Sequence, residues 1–124
     1  MNESLESFIA VIDDDASLRR SLANLLGSVG FSTRTFASAE LFLTTVASDV
    51  TCVVLDLRLP GMSGLELVHA LRTDWPGLPV LVLSAQSDTF TRQRCLDAGV
   101  VAVLGKPFIP DELVTTLRSV MRTA

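Results

Sequence analysis

Asp13, Asp14 and Asp15 follow directly on the apolar run Phe8-Ile9-Ala10-Val11-Ile12, and Asp56 closes a second run, Cys52-Val53-Val54-Leu55. Ionised carboxylates repel one another, and several share a small site only with a cation among them. Oxygen-only clusters suit a hard divalent metal. If the two runs are neighbouring strands, their acids meet, and a metal held by Asp13 and Asp14 is expected. A carboxylate there can attack a phosphoryl group and carry it as an acyl phosphate, which makes Asp56 the candidate nucleophile. Such a transfer demands charge neutralisation on the phosphoryl oxygens more than covalent chemistry. Lys106 suits that demand. It follows the run Val101-Ala102-Val103-Leu104-Gly105 and is the only lysine, the other nine basic side chains being arginine. Its ammonium can approach a phosphoryl group from the far side. Ser84, after Val80-Leu81-Val82-Leu83, offers a hydroxyl donor. Taken singly, an aspartate at a strand end is as well explained as a helix cap or a solvated loop residue, and Asp15 fits that reading. The shared position of all these groups, each at the end of an apolar run, favours a site.

The elements that must position them alternate along the chain. Short apolar runs bounded by charges or turn residues read as buried parallel strands, here over 8–12, 52–55, 80–83 and 101–104, and a short strand is expected over 32–36. Between them stand helical patterns. Leu18, Leu22, Leu25, Leu26 and Val29 recur at helical spacing after Asp15 or Ser17 as cap, with Gly30 as the stop. Ser38 precedes a second helix with Leu41, Phe42 and Val46, and the loop Leu59-Pro60-Gly61-Met62-Ser63-Gly64 leads into a third with Leu65, Leu67, Val68 and Leu71. Pro76, Gly77 and Pro79 end that one. A fourth helix is expected over 89–98, and a fifth from Pro110 to about residue 122. Five rounds of strand and helix imply an α/β fold, a doubly wound five-stranded parallel sheet flanked by five helices. Ligands of such sheets bind at the carboxyl ends of the strands, near the switch in strand order. Asp13, Asp14, Asp56, Ser84 and Lys106 all fall on that edge.

A chain of 124 residues with 48% hydrophobic content can bury a core as a single domain spanning 1–124, with residues 1–6 as a flexible extension. The net charge of −4 and the lack of a basic run exclude direct nucleic-acid binding through the phosphate backbone by this domain. Cys52 and Cys95 are far apart and fit buried free thiols of a reducing compartment. The polar, acidic start is unlike a signal peptide, and no apolar stretch approaches the roughly 20 residues of a membrane span, so a cytoplasmic protein without membrane contact is expected. The Gly99…Gly105-Lys106-Pro107 stretch fails as a P-loop, since Pro107 stands where Ser or Thr is needed. His69, alone and mid-helix, reads as a surface residue. Phe36, Phe42 and Trp75 read as packing groups, and Arg92 and Arg94 as a solvated helix face.

Four stretches in order, Val11-Ile12-Asp13-Asp14-Asp15, Leu55-Asp56-Leu57-Arg58-Leu59-Pro60-Gly61-Met62-Ser63-Gly64, Leu83-Ser84-Ala85 and Lys106-Pro107-Phe108, resemble the receiver domain of two-component response regulators. The resemblance covers residues 7 to 123 and implies the flavodoxin-like receiver fold. It implies that Asp56 is the phospho-acceptor and that Mg2+ is bound by Asp14, Asp56 and the backbone carbonyl of Arg58, with Asp13 acting through a metal-bound water. It further implies that Ser84 is the hydroxyl switch residue, that Lys106 faces the phosphoryl group, and that the peptide bond before Pro107 is cis. The donor would be a sensor histidine kinase, the responding face that of the fourth helix, fifth strand and fifth helix, and phosphorylation would promote a homodimer. Arg58 and Gln86 occupy positions that tune loss of the phosphoryl group in the family. Ser17-Leu18-Arg19-Arg20-Ser21-Leu22, Thr35-Phe36-Ala37-Ser38-Ala39-Glu40 and Pro60-Gly61-Met62-Ser63-Gly64-Leu65-Glu66-Leu67 are similar to FixJ-like regulators, which carry a DNA-binding output domain and control transcription.

Two features depart from the family. Val103 stands where an aromatic is common three residues before the lysine, and Ser84 replaces the commoner Thr. The domain is expected to be a signalling module rather than an enzyme, catalysing only its own phosphoryl transfer and loss. Two other classes compete. A haloacid-dehalogenase-type phosphatase needs a second Asp two residues after the nucleophile, where this chain has Arg58. An unphosphorylated pseudo-receiver would lack an acid or the lysine, and here all are present.

Overall fold

Four apolar runs and the more polar stretch 33–36 form the parallel strands of one sheet: β1 (Phe8–Ile12), β2 (Thr33–Phe36), β3 (Val50–Asp56), β4 (Val80–Ser84) and β5 (Ala102–Gly105). Five helices alternate with them: α1 (Ala16–Ser28), α2 (Ala39–Leu43), α3 (Gly64–Asp74), α4 (Thr89–Asp97) and α5 (Pro110–Thr123). The structure, a computed structural model, describes residues 7–45, 49–85 and 88–123. The expectations for residues 1–6, Val46 and Gln86 lie outside the described residues.

The strand order is β2-β1-β3-β4-β5. The chain steps from β1 outward to β2, then crosses back to place β3 on the other side of β1. The switch in strand order therefore falls between β1 and β3, whose ends carry Asp13 and Asp56. In register, Ile12 lies beside Leu55 and Asp56 beside Leu83.

Strand alternation divides the core in two. Ala10, Ile12, Val53, Leu55, Val80, Val82 and Val103 pack with Ala39, Phe42, Leu67, Val68, Leu71 and Cys95, which puts α2, α3 and α4 on one face. Ile9, Val11, Cys52, Val54, Leu81 and Leu83 pack with Leu22, Leu26, Leu113, Val114 and Leu117, which puts α1 and α5 on the other. Full burial of each valine, leucine, isoleucine or phenylalanine among them is worth roughly 1.5–3 kcal/mol relative to exposure. A one-residue slip of β3 would exchange its whole set between faces, so the register that brings Asp56 to the strand end is strongly specified.

Helix starts follow short-range chemistry. The Asp15 carboxylate accepts from the amides of Ser17 and Leu18, so Asp15, not Ser17, caps α1. Ser38 caps α2, Asp88 caps α4, and Ser63 with Glu66 forms a capping box at α3. Several boundaries differ from the sequence reading. β3 begins at Val50 and includes Asp56, because half-buried Thr51 extends the pairing below the apolar run. β5 begins one residue later than expected, with Val101 exposed. Leu41 is 54% exposed despite its helical spacing, because α2 is a single short turn that buries only Ala39 and Phe42. Phe36 and Phe42 meet edge to face, and Trp75 packs on the core, as packing groups should. Among the described residues no helix is long and apolar enough to cross a membrane.

Cys52 and Cys95 are free and buried. Burial pushes the Cys52 thiol up to about 12, against a smaller opposite pull from the Val53 backbone. The thiolate is the reactive form. Cys52 should therefore resist alkylation in the native protein at neutral pH and react once the chain is denatured. Site-resolved mass spectrometry checks this; equal labelling in both states would mean that the sheet is not closed by helices on both faces.

Candidate functional site

The acids converge because β1 and β3 are neighbours. The amide of Asp13 donates to the Phe36 carbonyl at 3.1 Å, so the backbone follows the sheet one residue past β1 and carries the Asp13 side chain inward, where it is buried. Its Oδ1 accepts the Asp15 amide at 2.9 Å. That turn leaves Asp14 exposed at the rim. Asp56, also buried, is the last residue of β3, and its Oδ1 accepts the Arg58 amide at 3.2 Å. A Cβ at Gly64 would stand 2.5 Å from the Asp56 carbonyl oxygen, so only glycine lets α3 begin this close to Asp56. The Gly64 amide donates to the Leu57 carbonyl at 2.9 Å and closes the base of the intervening loop.

One carboxylate oxygen from each of Asp13, Asp14 and Asp56 can be chosen so that all lie within 4.8 Å of one another. This is an acidic pocket whose oxygen-only donors suit a hard divalent cation. Arg58 is an exposed residue on the loop directly after Asp56. Lys106 enters from β5. Its Nζ donates to Asp13 Oδ2 at 2.9 Å and to Asp56 Oδ2 at 3.1 Å, bridging the two buried acids. Partial burial opposes the ammonium charge, but the hydrogen bonds and charges of Asp13 and Asp56 together outweigh it and raise the lysine pKa above its ordinary value.

Ser84 is buried at the end of β4, beside Gly105 in register, and its carbonyl accepts the Lys106 amide at 3.0 Å. The Lys106–Pro107 peptide is cis. Val103 is buried in the core beneath α4 rather than at the surface. Asp13, Asp14, Asp56, Ser84 and Lys106 thus share one edge of the sheet. Asp15 faces away as a helix cap, and His69 is exposed.

Three side chains near this edge escaped the sequence reading. Arg19 Nη1 donates to the Asp13 carbonyl at 2.7 Å and ties α1 to the acidic turn. Glu40 Oε2 accepts the Met62 amide at 2.8 Å, joining α2 to the loop after Asp56. Arg92 Nη1 donates to the Val103 carbonyl at 3.0 Å, so this arginine is an α4–β5 link and not merely part of a solvated face. Arg19 had one local signal, its place one turn after the cap Asp15. The other two contacts depend on crossovers that no local pattern announces.

A family model for the response regulator receiver domain matches residues 9–118. The chain is 37% identical over 117 residues to the transcriptional regulatory protein FixJ of Bradyrhizobium diazoefficiens, covering 94% of this chain and 57% of that protein. It is 39% identical over 112 residues to nodulation protein W of the same organism, covering 90% and 49%. It is 37% identical over 121 residues to the DNA-binding response regulator MtrA of Mycobacterium tuberculosis, covering 97% and 53%. The chain therefore spans about half the length of these curated relatives. Among solved structures, the BeF3 activated DrrB receiver domain aligns with a TM-score of 0.86 at 29% identity, over 94% of this chain and 97% of that one. The response regulator StyR aligns at 0.85 with 36% identity, over 94% and 60%. Sequence, fold and the shared edge of acids, serine and lysine lead to one assignment: this chain belongs to the response regulator receiver domain family.

Proposed function

We propose that Asp56 is the phospho-acceptor of this receiver and that it takes its phosphoryl group from the phosphohistidine of a sensor kinase. The observation that carries this is the bridging of Asp13 and Asp56 by Lys106 within a cluster of three acids. An Asp56 carboxylate oxygen attacks phosphorus, the phosphorus–nitrogen bond of the donor breaks, and the histidine leaves as neutral imidazole after taking up a proton. The product is an acyl phosphate. Mg2+ would be held by Asp14, Asp56 and the Arg58 carbonyl, with Asp13 engaged through water, and would neutralise charge on the transferring oxygens. Lys106 exchanges its bond to Asp56 for one to a phosphoryl oxygen, and the Ser84 hydroxyl donates to another. The exchange draws the loop after β4 inward and shifts a two-state equilibrium of the face formed by α4, β5 and α5.

The domain is a signalling module; self-limited transfer and loss of the phosphoryl group is part of this proposal, with Arg58 and Gln86 tuning the loss. We place it in the cytoplasm, as one domain over 1–124, with phosphorylation favouring a homodimer. Exposed Phe90 and Val101 on the α4–β5 face support a protein-binding role for that surface. Relatives described as transcriptional and DNA-binding regulators support a DNA-binding output domain as the target, while the net charge of −4 assigns no nucleic-acid contact to the receiver itself. The full set of acids and the lysine weighs against a pseudo-receiver, and Arg58 against a dehalogenase-type phosphatase.

The test begins with metal. A ligand that binds the folded state stabilises it by mass action, so Mg2+ should raise the melting temperature. Asp14→Ala should weaken Mg2+ affinity by about tenfold or more, since it removes one anionic ligand of a site with few. It should leave the metal-free melt equal or slightly higher, because the exposed Asp14 repels its neighbours. Calorimetric titration reads the affinity; an unchanged value in the variant would remove Asp14 from the ligand set.

A further inference from the structure

The geometry points to Glu40 as a positioning residue for phosphoryl transfer, holding from α2 the turn that follows Asp56. This rests on the reading of Asp56 and Arg58 given above. The segment over 57–63 is anchored at several points, among them the Arg58 amide on Asp56 Oδ1 at 3.2 Å and the Ser63 amide on Glu66 Oε1 at 2.8 Å. Its base is closed by the Gly64 amide on the Leu57 carbonyl. Leu59 is buried and fixes the middle in the core. Pro60 and Gly61 are then exposed, Met62 packs part-buried against the core, and there the carboxylate of Glu40 accepts the Met62 amide at 2.8 Å across 22 residues of sequence. Gly61 adopts a φ of +72°, and a Cβ on it would stand 2.6 Å from Glu40 Oε2. The left-handed backbone favours glycine at this point, and a larger residue would also push the Glu40 carboxylate aside. The Glu40 carboxyl is held below its ordinary range chiefly by the Met62 amide, so the acceptor is charged at neutral pH. Glu40 itself sits in the first turn of α2, which Ser38 caps through the Leu41 amide at 3.1 Å. The polar link therefore runs from a capped helix start to the turn whose preceding residues include Arg58.

A loop that samples several conformers binds its ligand in proportion to the competent fraction. Without Glu40, the turn loses this polar anchor, and the Arg58 backbone loses part of its preset orientation. Glu40→Ala should weaken Mg2+ binding by about threefold to tenfold, the effect of cutting the competent fraction to that degree. Labelling by acetyl phosphate should slow by a similar factor at subsaturating Mg2+ and recover at saturation. Amide exchange at Met62 should accelerate. Glu40→Gln keeps an acceptor oxygen and should stay within about twofold of the parent in both measurements, since the hydrogen bond survives. Thermal melts of both variants should match the parent, because the side chain is exposed and no core packing is lost.

The experiment measures Mg2+ affinity by calorimetry and labelling rate by intact mass for the parent, Glu40→Ala and Glu40→Gln. Loss in the alanine variant with rescue by glutamine supports the positioning role. Parent-like affinity and rate in Glu40→Ala overturn it. Equal loss in both variants also overturns it, because charge alone would then be responsible and not the bond to Met62. A parent protein that takes no phosphoryl group at Asp56 overturns the phospho-acceptor reading instead, so the two failures are distinct.

Discussion

Asp56→Asn should abolish labelling by acetyl phosphate and Mg2+, whereas the parent protein should gain one phosphoryl group that is lost in acid and in base. An amide has no carboxylate oxygen to attack phosphorus, so the expected change is complete loss and not a slower rate. The fold should persist. Asparagine matches aspartate in size, keeps an oxygen able to accept the Arg58 amide now held at 3.2 Å, and leaves Lys106 paired with Asp13 at 2.9 Å. Loss of labelling with a near-parental melt would thus report chemistry rather than unfolding. Intact-mass measurement decides the matter. Equal modification of the variant would place the phosphoryl group on another residue and remove the basis for the proposed switch.

Lys106→Ala should separate phosphoryl arrival from signalling. In the resting protein its ammonium bridges Asp13 and Asp56, so its removal leaves two buried acids with no cation between them. Breaking a buried pair on one side costs about 3–5 kcal/mol, and the partly exposed lysine brings the expected loss to about 1–3 kcal/mol. Mg2+ should restore part of it by supplying positive charge to the same acids. The raised lysine pKa fixes the sign with pH. Protonated lysine stabilises the fold at every pH below its unfolded value near 10.5, and that contribution is lost as pH rises through the higher folded value. The parent should therefore lose stability in strong alkali that the alanine variant has already lost.

Labelling at Asp56 should survive in part in Lys106→Ala, because the nucleophile and the acids remain. The structural response should not survive. Val103 is small and buried, so it has no aromatic ring to turn inward, and the change is expected to be carried chiefly by backbone and loop movement. Two bonds lie on that route: the Lys106 amide on the Ser84 carbonyl at 3.0 Å, and Arg92 on the Val103 carbonyl at 3.0 Å. Amide exchange with a beryllofluoride mimic of the acyl phosphate should show large parental changes from Ser84 to Ala98 and none of that size in the variant. Identical responses at matched occupancy would exclude Lys106 as the coupling residue.

How much of this could be read from the chain follows from the range of the forces involved. Strand identity was legible where parallel strands buried on both faces are continuous apolar runs, as at 8–12 and 80–83. Helix starts were legible where a cap acts within a few residues, as at Ser38. The aspartates, Ser84 and Lys106 stood out because a polar residue ending a buried strand must emerge at one edge of the sheet. Patterns of spacing failed where burial depends on what lies opposite, as for Leu41, which faces solvent from a helix of a single turn. Tertiary structure alone decided who meets whom. The strand order sets β1 beside β3, and only then do Asp13 and Asp56 come within reach of one lysine 93 and 50 residues away. The same holds for Glu40 with Met62 and for Arg92 with Val103, where a flexible side chain finds a backbone group on another element. Almost any polar residue can supply such a bond, so residue type alone carries no sign of it. The crossovers between strands bring the partners together, and those are fixed by burial of the whole sheet.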